Sequence, residues 1–180
     1  DLYNKKLIYK SKKLVNWDVV LKTAISDLEV DQREVNSQLY YINYPIENSD
    51  KSITIATTRP ETMLGDTAIA VNPKDNRFKK YVGKTVTIPI VGRKIKIIKD
   101  NYADPEQGTG ALKITPAHDF NDYDVGQRNK LEIINIFTKD GKINKNAPDK
   151  YIGLDRFEAR KKILEELKEK DFFVKEENIK

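Results

Sequence analysis

The sequence contains no cysteine, and it has only one histidine, one tryptophan and one methionine in 180 residues. Without cysteine the chain can form no disulfide, no thiolate zinc site and no cysteine nucleophile. The single histidine, His118, has no second histidine or cysteine to join it, so a metal centre is disfavoured. No apolar run reaches the roughly 18 residues that a membrane-spanning helix needs, so no membrane association is expected.

The amino end lacks two further features. Residues 1–6 do not show the basic-then-apolar layout of a signal peptide, and the sequence does not begin with methionine. We therefore expect a piece of a longer protein, with a cytoplasmic location as the default.

Charge is abundant. The chain carries 33 basic and 28 acidic side chains, a formal net charge of +5, and 34% of its residues are charged. Its length is sufficient for one domain with a core of its own, and much of the charge must lie on the solvated surface. The mildly basic balance is compatible with a polyanionic partner, but many small soluble proteins share it.

Short strands dominate the predicted secondary structure. Strands are predicted at 38–44, 52–58, 66–71, 111–115 and 132–138, with a hairpin at 85–98 and helices at 75–82, 119–129 and 155–170. Asp155 is the expected cap of the last helix, and Phe157, Leu164 and Leu167 are expected to share its buried face. The pattern favours a β-rich α+β fold, with a β-barrel-like core and a few peripheral helices.

Two polar segments, 57–66 and 108–123, carry the candidate site. Side chains alternate along a strand, so Lys113 and Thr115 should project from the same face of strand 111–115. Asp119 and Asp122 are three residues apart on the following helix and should share one side of it. Simpler roles fit the same pattern, namely a solvated strand face, a helix cap and an acid favoured by the helix dipole.

The other polar residues of these segments are less specific. Arg59 precedes Pro60 and should be extended, which leaves Thr62 near the end of the preceding strand. Gly108 and Gly110 permit either a close approach to a ligand or a tight turn. A lone histidine between an alanine and an aspartate is more often structural than catalytic.

The wording of the two segments, TRPET from Thr58 and KITPAHDFNDY from Lys113, resembles the editing (connective-peptide) domain of the class I aminoacyl-tRNA synthetases for valine, isoleucine and leucine. It is most similar to the valyl type. The resemblance extends along the chain, because 14–18 and 23–30 are similar to the ribbon that joins this domain to the synthetic core, and 153–160 to its closing helix. It implies a hinge ribbon at 1–36 and an editing domain at 37–180.

In that family the domain removes threonine that has been wrongly attached to tRNA(Val). The resemblance implies that Asp122 binds the amino group of the amino acid, and that Lys113 and Asp119 complete the catalytic set. A bound valine lacks the threonine hydroxyl and would therefore leave Lys113 and Asp119 without a hydrogen-bonding partner. The implied substrate-binding residues are Arg59, Thr62 and Thr115 at the threonine side chain, Thr57, Thr58, Gly108, Thr109 and Gly110 at the terminal adenosine, and His118.

The implied partners are the acceptor end of tRNA(Val) and the rest of a synthetase in the same chain, with a monomer as the default. No cofactor or metal is expected in this chain, since ATP and Mg²⁺ would belong to the absent synthetic core. The HIGH-type and KMSKS-type signatures of amino-acid activation are missing. Two alternatives remain open: an editing domain of the leucyl or isoleucyl type, and a tRNA-binding appendage without catalytic activity.

Overall fold

The computed structural model describes residues 1–31 and 33–179, and these form nine strands and two α-helices. The strands are β1 (Asn16–Asp18), β2 (Thr23–Ile25), β3 (Ser37–Pro45), β4 (Ser52–Thr57), β5 (Ala68–Val71), β6 (Thr85–Thr87), β7 (Lys94–Lys99), β8 (Ala111–Ile114) and β9 (Phe173–Ile179). The helices are α1 (Phe120–Asn129) and α2 (Arg156–Glu169). Short 3₁₀ helices cover Asp27–Glu29, Pro60–Gly65, Lys79–Tyr81 and Asp149–Tyr151. None of the described helices is long and apolar enough to cross a membrane.

The strands belong to three sheets, in the orders β1-β2, β4-β3-β9 and β6-β7-β5-β8. Among the described strands, only β5 and β7 pair in parallel. The β-rich α+β class is confirmed, but the barrel-like core is corrected, because the described strands do not close into a barrel. One edge of β3 pairs with β4 and the other with β9. An isolated bridge between Ile46 and Val86 joins the two larger sheets.

The core has two parts because β5 is buried on both faces. Ile69 and Val71 point into the main apolar cluster between the sheets. Ala68 and Ala70 point the other way, into a smaller cluster with Val125 of α1. Alanine at these two positions leaves room for α1 to lie close to the sheet, which brings the first turn of α1 to the end of β8.

Two predicted elements are wrong. The helix at 75–82 is only the 3₁₀ helix at 79–81, because the Asp75 carboxylate accepts hydrogen bonds from the backbone and side chain of Arg77 and stabilises a turn instead. The strand at 132–138 has only an isolated bridge between Phe137 and Ile143. Its Ile136 N–H is donated to a histidine ring and not to a neighbouring strand.

The carboxy-terminal helix is confirmed, although only Leu167 of the three residues predicted to share a face is buried. The Asp155 side chain caps α2 by accepting from the Phe157 N–H at 2.8 Å. Ala159, Ile163 and Leu167 form the buried stripe, whereas Phe157 is 51% exposed. The strand β9 that follows α2 was not predicted, and it completes the sheet beside β3.

The first 36 residues contain the β1–β2 hairpin, and no described residue among them is buried. Two hydrogen bonds between described residues hold this ribbon on the body of the molecule. The Trp17 indole donates to the Lys139 carbonyl at 2.8 Å, and the Tyr123 hydroxyl donates to the Lys12 carbonyl at 3.0 Å. The division into a ribbon at 1–36 and a domain at 37–180 stays a prediction.

Candidate functional site

The end of β4, the end of β8 and the first turn of α1 meet at a cleft of about 240 Å³. Its lining consists of Leu39, Ala56, Thr57, Thr58, Arg59, Thr62, Tyr102, Leu112, Lys113, Thr115, His118, Asp119 and Asp122. All of the predicted site residues are there except Gly108, Thr109 and Gly110. Sequence reasoning missed the apolar walls, and it also missed a buried carboxylate directly behind the lining.

The Pro60–Gly65 helix forms one wall because two features hold it in place. Gly65 allows a close approach, since a Cβ atom there would lie 2.8 Å from the Ile134 carbonyl oxygen. Glu61 is 1% exposed and accepts two hydrogen bonds of 2.8 Å from the Arg160 guanidinium of α2. Glu61 therefore anchors the wall to α2 and does not face the cleft.

Behind the cleft lies the missed carboxylate, Asp66, which is fully buried. It accepts from the Tyr44 hydroxyl at 2.7 Å, from the Thr115 hydroxyl at 2.6 Å and from the Lys113 ammonium at 3.1 Å. Burial raises the pKa of Asp66, while the charge of Lys113 and these hydrogen bonds oppose the rise. Asp66 is thus a buried acid with a full set of partners.

Lys113 is buried too, and its ammonium has no hydrogen left for a ligand. Its three donors go to Thr62 at 2.8 Å, to Asp66 and to Thr115. The expectation that valine would leave Lys113 unpaired is therefore corrected, because Lys113 has partners without any substrate. Its contacts instead orient the hydroxyls of Thr62 and Thr115.

Asp122 has fewer partners than Asp66. Its side chain is 7% exposed, and only its Oδ2 atom has a partner among the described residues, the Thr115 N–H at 2.8 Å. Burial raises the pKa of Asp122 to about 6, although the positive charge of Lys113 opposes the change. A buried carboxylate that lacks a nearby counter-charge in contact with it is suited to binding a cation.

Asp119 caps α1. Its Oδ1 atom accepts from the Asn121 and Asp122 N–H groups at 2.8 and 3.1 Å, which is the capping role considered from the sequence. Its second oxygen accepts no hydrogen bond from the described residues. Asp119 can therefore cap the helix with one oxygen and face a ligand with the other.

His118 lines one wall of the cleft. Its Nε2 atom accepts from the Ile136 N–H at 3.0 Å, and its carbonyl accepts from the Arg59 guanidinium at 2.8 Å. Burial lowers the pKa of His118 to about 3, so the ring is neutral at physiological pH. With Nε2 occupied as an acceptor, the ring holds residue 136 in place.

Gly108, Thr109 and Gly110 lie outside the lining of the cleft. The Thr109 hydroxyl donates to the Thr54 carbonyl at 2.6 Å, which ties this turn to β4. Their role at an adenosine stays a prediction. No three His, Asp or Glu side chains within 1–31 and 33–179 are grouped so that they could hold a metal ion.

Comparison with known proteins identifies the family of this chain. A family model described as tRNA synthetases class I (I, L, M and V) matches residues 1–180. Valine–tRNA ligase of Pelagibacter ubique is 81% identical over 180 residues, which are 100% of this chain and 21% of that protein. Valine–tRNA ligase of Thermotoga maritima is 54% identical over 178 residues, 99% of this chain and 20% of that protein. The chain thus spans about a fifth of the length of these relatives.

The fold has a counterpart among solved structures. LeuRS of Agrobacterium radiobacter K84, in a ternary complex with tRNA and LeuAMS, superposes with a TM-score of 0.65 and 22% identity. The match covers 79% of this chain and 20% of that one. At this identity the similarity concerns the fold alone. Because the family model matches the whole chain, the protein belongs to the class I tRNA synthetases of the isoleucine, leucine, methionine and valine group.

Proposed function

We propose that this chain is the editing domain of a valine–tRNA ligase and hydrolyses the ester of Thr-tRNA(Val). The observation that carries the proposal is Asp122, a buried carboxylate that faces the cleft and has a raised pKa. The α-ammonium group of an aminoacyl ester would supply the positive charge that this carboxylate lacks. The names of the relatives, all valine–tRNA ligases at 54% and 81% identity, support a valyl enzyme over a leucyl or isoleucyl one.

The hydroxyls on the floor of the cleft provide the selection for threonine. Thr62 donates its hydrogen to the Arg59 carbonyl, and Thr115 donates its hydrogen to Asp66. Each oxygen also accepts one bond from Lys113, which leaves one acceptor position on each. The floor can therefore accept a hydrogen bond but offers none, and a substrate hydroxyl binds there as a donor.

Valine is nearly the same shape as threonine but has no hydrogen to donate. Its methyl group would displace water from these oxygens without replacing the hydrogen bond, at a cost of about 1–3 kcal/mol for each group left unpaired. The free oxygen of Asp119 adds a further acceptor at the mouth. Such a site complements a synthetic pocket that rejects threonine by only ~10²-fold, a figure known for valyl enzymes themselves.

Hydrolysis in this cleft proceeds by direct attack of water on the ester carbonyl carbon. The bond between that carbon and the ribose oxygen breaks, which yields threonine and tRNA with a free hydroxyl. His118 does not take the proton, because its Nε2 atom is occupied and its pKa is about 3. Asp122 holds the ammonium group, and Lys113 fixes the floor against which the amino acid lies.

The test is deacylation of Thr-tRNA(Val) and Val-tRNA(Val) by this chain at high concentration and low salt. We expect rapid loss of threonine only, and no reaction with Asp122→Ala. Asp124→Ala is the matched control, because Asp124 is an exposed acid on the same helix. Turnover by a folded Asp122→Ala protein would remove Asp122 from the mechanism. Hydrolysis of neither ester would favour the alternative of a non-catalytic tRNA-binding appendage.

Several wider properties belong to the same proposal. The complete protein would ligate valine to tRNA(Val) with ATP, and its synthetic part would supply the ATP and Mg²⁺ sites. Residues 1–36 would be the hinge ribbon and 37–180 the editing domain of a cytoplasmic monomer.

A further inference from the structure

A second and larger cleft of about 510 Å³ lies between the ribbon and the body of the molecule. We call it the ribbon cleft. Its lining combines residues of the ribbon, among them Lys13 and Trp17, with residues of the body, among them Phe120, Lys139 and Arg156. Arg59, His118 and Asp119 also line the first cleft, so the two clefts share one wall.

Two partly exposed aromatic rings line the ribbon cleft, and a hydrogen bond fixes one of them. Trp17 is 38% exposed, and its indole is fixed by the hydrogen bond to the Lys139 carbonyl. Phe120 is 47% exposed at the first residue of α1, directly after the cap. Exposed, pre-positioned aromatic faces are the usual platforms on which unpaired nucleobases stack.

The charges of the same lining are predominantly positive. Lys13, Lys139, Arg59 and Arg156 contribute cations, and Asp119 is the one acid in this set. Asp119 lies in the wall shared with the first cleft, whereas Lys13 and Lys139 line the ribbon cleft alone. Cations beside aromatic rings complement a nucleotide, whose base stacks while its phosphate attracts the cations.

We propose that the ribbon cleft binds the nucleotide that precedes the terminal adenosine of the RNA. This inference rests on the proposed function, which places the threonyl ester in the first cleft. Arg59, His118 and Asp119 line both clefts, so an RNA chain that leaves the first cleft across this shared wall reaches the exposed aromatic rings and the lysines. The ribbon thereby forms part of the RNA-binding surface, in addition to its proposed role as the hinge to the rest of the synthetase.

The first test uses Phe120→Ala with two substrates, threonyl-tRNA(Val) and threonyl-adenosine, which lacks the preceding nucleotide. We expect kcat/KM for threonyl-tRNA to fall about 5- to 150-fold, the range for losing one stacked base, and kcat/KM for threonyl-adenosine to remain unchanged. Alanine favours the helix, so the fold should persist. Tyr9→Ala removes an 83% exposed ring outside both clefts and serves as the control. Equal losses for both substrates, or no loss for either, would overturn the proposal.

The second test needs no turnover. Trp17 is the only tryptophan of the chain, so its fluorescence reports on the ribbon cleft directly. Titration with the trinucleotide CCA should change this fluorescence, whereas adenosine alone should not. No response to CCA would overturn the proposal. If wild-type protein hydrolysed neither ester, the proposed function would fail, and the titration would still decide what the ribbon cleft binds.

Discussion

Replacement of Asp122 by asparagine separates the stability of the fold from the chemistry of the cleft. Asparagine keeps the shape of the side chain and an oxygen that can accept from the Thr115 N–H, but it removes the charge. A carboxyl whose pKa rises from 3.8 to about 6 costs the folded protein about 3 kcal/mol once it is fully ionised. The variant should therefore be more stable than the wild type at neutral pH.

The sign and the pH range follow from the direction of the pKa change. Folded Asp122 binds its proton more tightly than the unfolded chain does, so the wild type loses stability as the pH rises through the range from 3.8 to about 6. The advantage of Asp122→Asn should grow from about 1 kcal/mol at pH 4.5 to about 3 kcal/mol at pH 7.5. At neutral pH this corresponds to an increase in Tm of about 6–12 °C for a chain of this size.

Denaturant titrations at both pH values, together with deacylation assays, test this reasoning. The variant should lose hydrolysis of Thr-tRNA(Val) while it gains stability, because the ammonium anchor is gone. Wild-type kcat/KM should rise with pH through about 6 as Asp122 ionises. Asp124→Asn, on the exposed side of α1, controls for the general loss of a charge. A stability difference that is independent of pH, or a less stable variant, would refute the assignment of a costly buried charge.

Three other substitutions probe the supports of the cleft. Arg160→Leu leaves the Glu61 carboxylate buried without its main partner, and urea denaturation should show a loss of about 3–5 kcal/mol that the double variant with Glu61→Leu largely restores. Gly65→Ala should cost about 1–3 kcal/mol by overpacking, with slower deacylation; wild-type stability would contradict the close approach. Lys113→Ala strips Asp66 of its cation and frees the cleft hydroxyls. It should lower both the denaturation midpoint and the preference for threonyl over valyl ester, and a preserved preference would place the reading of the hydroxyl elsewhere.

Local patterns predicted much of the framework of the site. The alternation along β8 placed Lys113 and Thr115 on the same face, and their side chains do meet. The cap at Asp119 predicted the start of α1, and the cap at Asp155 predicted the start of α2. These features depend on contacts within a few residues, which a single sequence displays.

Contacts between distant residues could not be predicted in the same way. The pair of Asp66 and Lys113 spans 47 positions, and the pair of Glu61 and Arg160 spans 99. Asp66 directly follows Gly65 in the polar segment 57–66, which was a signal that it could belong to the site. Its position at the start of a predicted strand explained the residue equally well. The ribbon contact of Trp17 spans 122 positions and escaped prediction for the same reason.

The strand β9 shows how tertiary context overrides local composition. Three of its seven residues are charged and five are exposed, so the apolar alternation of a half-buried strand is missing. It forms because the edge of β3 offers unpaired backbone groups, and pairing with them satisfies both strands. The same pairing gives β3 a partner along its second edge.

Two buried acids with different partners explain how one cluster serves both stability and binding. Asp66 has a cation and two hydroxyls around it, so its negative charge is already compensated in the absence of a ligand. Asp122 feels the charge of Lys113 without a hydrogen bond to it, and its one donor among the described residues is the Thr115 backbone N–H. A second lysine beside Asp122 would stabilise the folded chain but would occupy the position that an incoming ammonium group must take. Under the proposed function, binding of the aminoacyl ester would recover the free energy that the ionised Asp122 costs the folded chain.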